Sequence, residues 1–127
     1  MTRSPESYFV REQDVPGYSP KGHGGTLNRR LVGAENVGAR NLEVVLGEIQ
    51  PGEGAPEHLH PGIEQVCYML AGRARASIGS LTRELGPGDT VFFPADEMHS
   101  FTAIGDVPVR LLVIYGPPYA EGPRIDR

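Results

Sequence analysis

The chain has 127 residues, enough to close one hydrophobic core but not two. Its 12 Lys and Arg stand against 16 Asp and Glu, and a net charge of −4 offers no basic patch to a nucleic acid or an anionic membrane. The 17 Gly and 12 Pro are dispersed in turn-like pairs, so they punctuate many short elements and form no low-complexity tract. A single cysteine, Cys67, excludes an intramolecular disulfide and fits a reducing compartment. The opening Met1-Thr2-Arg3-Ser4-Pro5-Glu6 lacks the apolar stretch of a signal peptide, and no apolar run reaches membrane-spanning length. A cytoplasmic address is therefore expected.

In chain order, residues 1–25 are polar and turn-rich and predict an irregular N-terminal arm holding at most one short strand. From there β-like runs recur at 26–32, 42–49, 64–70, 73–78, 90–93, 99–103 and 109–115. Between them fall strong turn signals: Gln50-Pro51-Gly52, Ala71-Gly72, Gly86-Pro87-Gly88-Asp89, Gly105-Asp106 and Gly116-Pro117-Pro118. No amphipathic helix longer than about two turns is visible, and 34–40 is too glycine-rich to make one. The reading is a single all-β domain over 26–116 with a tail at 117–127. A long antiparallel chain must hide its sheet edges, and closing two sheets into a jelly-roll barrel does so. Such a barrel has an interior wide enough for one small ligand or a metal ion.

Three of the four histidines stand where metal ligands are useful. His58 and His60 form an H-x-H pair, and residues two apart in extended chain face the same way. Gln65 opens the next strand run, and His99 heads another just after the turn at 94–97. Imidazole suits Zn, Cu, Fe and Ni, and an oxygen donor extends the choice to Mn.

The segment from Pro51 to Gly72, PGEGAPEHLHPGIEQVCYMLAG, followed by Gly88-Asp89-Thr90-Val91-Phe92-Phe93-Pro94 and His99, resembles the two motifs of small single-domain cupins. The resemblance implies a double-stranded β-helix and one divalent transition metal (Fe, Mn, Ni or Zn) held by His58, His60, His99 and a fourth ligand. The family usually places a glutamate followed by six residues and then a glycine. Here that interval ends on Gly72 and starts from Gln65, with Glu64 one place early. Gln65 is favoured and Glu64 is the alternative. Strand alternation forbids both from facing the ion. Two departures, Asp96 for a customary glycine and Ala103 for a closing asparagine, fall on positions that shape turns.

Alternation predicts Cys67, Met69 and Phe101 as pocket wall. Arg29 alternates with Leu27 and Leu31 and shares their apolar face. It reads first as a structural ion pair or an exposed strand charge, with a substrate-pocket arginine that meets a carboxylate as the alternative. His23 lies outside both motifs and reads as a loop residue, with a place at the pocket edge as the alternative. The aromatic stretch 115–119 is expected against a partner subunit, with the barrel mouth as the alternative. Three neutral imidazoles and a neutral amide leave the ion's charge uncompensated, so the expected ligand is a small anionic molecule carrying a carboxylate, enolate or hydroxy-carbonyl group. Two functions remain open. One is a metal-dependent enzyme, an oxygenase or a lyase or isomerase, and the other a non-catalytic binding or sensing protein. An outer face carrying Tyr68 and Leu70 predicts a homodimer.

Overall fold

Period-two alternation of apolar and polar side chains sets the strands, and glycine- or proline-bearing turns separate them. The structure, a computed structural model, describes residues 3–20 and 23–120. The strands are β1 (Gly17–Tyr18), β2 (Thr26–Val32), β3 (Glu43–Ile49), β4 (Gly54–His58), β5 (Glu64–Ala71), β6 (Arg73–Ile78), β7 (Leu81–Leu85), β8 (Thr90–Phe93), β9 (His99–Ile104) and β10 (Val109–Gly116). They form a six-stranded antiparallel sheet in the order β1-β2-β3-β10-β5-β8 and a four-stranded one in the order β4-β9-β6-β7. The two face each other as a jelly-roll barrel. No helix among the described residues is long and apolar enough to cross a membrane.

Each run of alternation in the sequence becomes a strand, while β4 and β7 carry no such signal. β4 is Gly-Ala-Pro-Glu-His at a sheet edge, where proline's missing N–H breaks no ladder, and its pairing with β9 is irregular between Ala55 and His58. Gly54 is required there: at φ 149° a Cβ would stand 2.1 Å from the Phe101 carbonyl oxygen. β7, the other edge of that sheet, exposes four of its five residues and so shows no apolar face.

Inward-facing side chains fill the barrel. Val45, Val113 and Cys67 lie opposite one another on β3, β10 and β5, and Met69, Ala74, Phe93, Ala103 and Leu111 complete a continuous buried cluster. The outward face of β5 shows Tyr68 and Leu70, as expected.

Arg29 corrects the sequence reading of β2. Thr26, Asn28 and Arg30 pair with Ile49, Gly47 and Val45 and share their inward face, so Arg29 points outward with Leu27 and Leu31. Leu27 meets the N-terminal arm: a Cβ on Gly17 would touch it at 2.8 Å. The Arg29 guanidinium donates to the Val15 carbonyl. Arg30, the inward arginine, is committed to Glu43, Glu35 and the Tyr18 hydroxyl.

Candidate metal centre

The register of β4 on β9 sets His58 directly opposite His99. His60 follows in a loop closed by Gly62, whose N–H donates to Asp96 Oδ1 at 3.1 Å, while the Asp96 N–H donates to the His60 carbonyl at 3.3 Å. Asp96 itself has φ 68°, the left-handed conformation that glycine would adopt freely. The carboxylate thus gives the departure from the family's glycine a use: it ties the His60 loop to the turn before β9.

One ring nitrogen from each of His58, His60 and His99 lies within 4.8 Å of the others. Nitrogens bound to one ion at about 2.0–2.1 Å each lie at most about 4.2 Å apart, so the three imidazoles would draw slightly together to share it. Two of the three rings are oriented from behind. The Nδ1 of His58 meets the Pro56 carbonyl at 2.6 Å and that of His99 the Glu97 carbonyl at 3.1 Å, so each Nδ1–H donates and each Nε2 is free to ligate. Phe93 stacks on the His99 ring at 4.1 Å and 8°.

The donor set fits a metal. His99 Nε2 and Gln65 Oε1 are both buried and without a hydrogen-bond partner, a costly state unless something pairs with them. Gln65 faces inward and its amide N–H donates to Cys67 Sγ at 3.5 Å, which leaves the oxygen as the free end. Glu64 points to solvent. Burial, reinforced by the neighbouring His58 and His99, lowers His60 to a pKa of about 4, and burial also lowers His99. Both rings are therefore neutral near pH 7, as ligands must be.

A cavity of about 100 Å³ opens onto these groups. Cys67 and Phe101 line it. Met69, on the same face as Cys67, is fully buried in the core and lines no part of the cavity. Burial pushes the Cys67 thiol up to about 12, so it is an apolar wall and no nucleophile. Among the other lining residues, Thr26 and Asn28 are not expected from the sequence, and His23, Tyr115 and Tyr119 are expected there only as the alternative. Thr26 and Asn28 follow from the correct alternation of β2. His23 and Tyr119 come from segments outside the regular strands, where no periodicity speaks. Tyr119 lies against His60 with ring centroids 4.4 Å apart, so residues 115–119 cover the barrel mouth. Its neighbour Ala120 donates its N–H to the buried Glu43 carboxylate at 2.6 Å.

The profile of the cupin domain family matches residues 45–115, which spans the strands carrying His58, Gln65 and His99. The chain belongs to the cupin family. This cupin is 30% identical over 115 residues to the polyketide synthase CurC of Streptomyces cyaneus, covering 91% of this chain and 74% of that protein. Among solved structures, the polyketide cyclase RemF of Streptomyces resistomycificus superposes with a TM-score of 0.75 at 25% identity, covering all of this cupin and 89% of RemF. A predicted oxalate decarboxylase of Thermotoga maritima superposes equally well, at a TM-score of 0.75, over 87% of this cupin and 99% of that chain, but at 20% identity it speaks for the fold alone.

Proposed function

We propose that this cupin is a metal-dependent enzyme that binds one divalent transition metal through His58, His60, His99 and Gln65. In this reading it acts on a small β-dicarbonyl or hydroxy-ketone by stabilising its enolate, a chemistry of the lyase, isomerase or cyclase kind. The observation that carries the reading is the pair of buried, unpartnered ligand atoms, His99 Nε2 and Gln65 Oε1, facing a cavity lined by no Arg, Lys, Asp or Glu among the described residues. With Arg29 outside the barrel, no arginine or lysine among the described residues of the wall would pair with a second carboxylate. The full-length likeness to a polyketide cyclase points the same way.

The bound ion would supply Lewis acidity toward a carbonyl or enolate oxygen. The chain's own groups do the rest. The Pro56 and Glu97 carbonyls hold the His58 and His99 rings in one tautomer. Phe93, Phe101 and Tyr119 exclude water, which strengthens electrostatic attraction inside the site. His23, the one imidazole lining the cavity outside the ligand set, would accept the proton from the carbon next to the carbonyl.

The test is proton exchange. In D₂O, metal-loaded protein is expected to accelerate deuterium incorporation between the two carbonyls of ethyl acetoacetate, read by NMR, and His99→Ala should abolish the acceleration. Failure to retain any metal after reconstitution with Fe, Mn, Ni and Zn, or exchange no faster than buffer, would sink this reading.

A further inference from the structure

Three buried side-chain atoms in the described structure lack a hydrogen-bond partner: Gln65 Oε1, His99 Nε2 and Thr26 Oγ1. A metal accounts for the first two. It does not account for Thr26, which is on β2 and outside the ligand set. Thr26 is only 6% exposed, and it lines the same cavity as the histidines. A threonine here is unneeded for the fold, since its backbone N–H already bonds the His23 carbonyl at 3.3 Å and its inward neighbour across the ladder is Ile49. A valine would fill the same space.

Two residues along the same inward face stands Asn28, also in the cavity wall. Its carboxamide makes no hydrogen bond among the described residues. The space it occupies exists because residue 47, directly opposite, is glycine: a Cβ there would come within 3.0 Å of Asn28 Oδ1 and of Leu111. The barrel has thus given up a core side chain to seat a polar one. Across the sheet the ladder sets Gln65 level with Glu43 through Tyr115, and Asn28 and Thr26 level with Gly47 and Ile49 further along β3, so both stand away from the metal-ligand end of the cavity.

We propose that Thr26 and Asn28 form a second, uncharged anchor in the pocket for a hydroxyl or carbonyl oxygen at the end of the ligand remote from the metal. The ligand class is then a hydroxy-ketone or β-dicarbonyl with a distal neutral oxygen, and not a dicarboxylate, whose far charge would be desolvated with no cation to meet it. The proposal rests on the metal-centre reading above and specifies the other end of the same site.

The test uses full-length, zinc-loaded protein and two neutral chelators that differ by one atom. Kojic acid carries a hydroxymethyl group on the ring side away from its chelating oxygens; allomaltol has a methyl in its place. Calorimetry is expected to show wild type binding kojic acid about tenfold more tightly than allomaltol. Thr26→Val should erase that preference by weakening kojic acid alone, with zinc stoichiometry unchanged, and Asn28→Leu should act in the same direction. Equal binding of the two by wild type, a preference that survives both substitutions, or succinate binding more tightly than kojic acid would overturn the proposal. A second readout needs no metal. Because Thr26→Val removes an unsatisfied buried hydroxyl, its metal-free melting temperature should match or exceed that of wild type, and a fall would show that the hydroxyl serves the fold and would equally overturn the proposal. Zinc that fails to bind wild type strikes the metal-centre reading, and the melting comparison still decides the role of Thr26.

Discussion

Gln65 and Glu64 are chain neighbours on opposite faces of β5, one buried beside the histidines and the other in solvent. Gln65→Ala is therefore expected to lower metal affinity more than about tenfold, by loss of a donor and of the shape that holds it, while Glu64→Ala leaves it unchanged. Elemental analysis after dialysis against a weak chelator checks the ranking. The histidines add a pH signature. His60 has a folded pKa near 4 against 6.5 in the unfolded chain, so between those values the unfolded state binds more protons. Stability of metal-free protein should then be constant from this source above pH 6.5 and fall as the pH drops toward 4. Thermal melts across that range should show the slope, and His60→Gln should flatten it. At this scale the sequence was most legible where chemistry and spacing coincide, in H-x-H and in His99. It misled at Arg29, because Leu27 beside it packs on the N-terminal arm, which also takes the Arg29 guanidinium, and not on the core.

Among elements, the loop from β4 to β5 shows how a non-repetitive segment is held. Asp96 combines a left-handed backbone with a carboxylate bond to the Gly62 N–H. Asp96→Ala should cost about 1–2 kcal/mol, and Asp96→Gly should recover the backbone share of that loss. Denaturant midpoints of the two variants give the split. If the bond also steadies His60, the alanine variant should lose metal faster than wild type. Period-two patterning made seven strands readable, and its absence hid two. β4 is an edge strand broken by Pro56, and β7 is solvated on both faces, so neither needs the alternation that a half-buried strand shows.

For the whole molecule, the outer face of the six-stranded sheet is too apolar for water. Tyr68, Leu70, Phe92 and Ile114 are each at least 36% exposed, and the ladder sets Val66 between Phe92 and Ile114. We infer that this face is where two copies pair. Light scattering at micromolar concentration is expected to report a dimer, and Ile114→Glu should yield a folded monomer with its metal retained. The barrel was legible because turns and strands alternate along nearly the whole chain. The cavity was less so, since its wall is drawn from strands and loops of both sheets and depends on register across them, which no local pattern encodes.

Glu43 holds Arg30 with one carboxylate oxygen and the backbone of Ala120 with the other, and Tyr119 is thereby kept over His60. Arrival at the metal is on this account a matter of timing as well as fit. A ligand waits for the tyrosine to swing aside, so its observed association rate should level off at high concentration at the frequency of that opening. Once inside, it should leave slowly for the same reason.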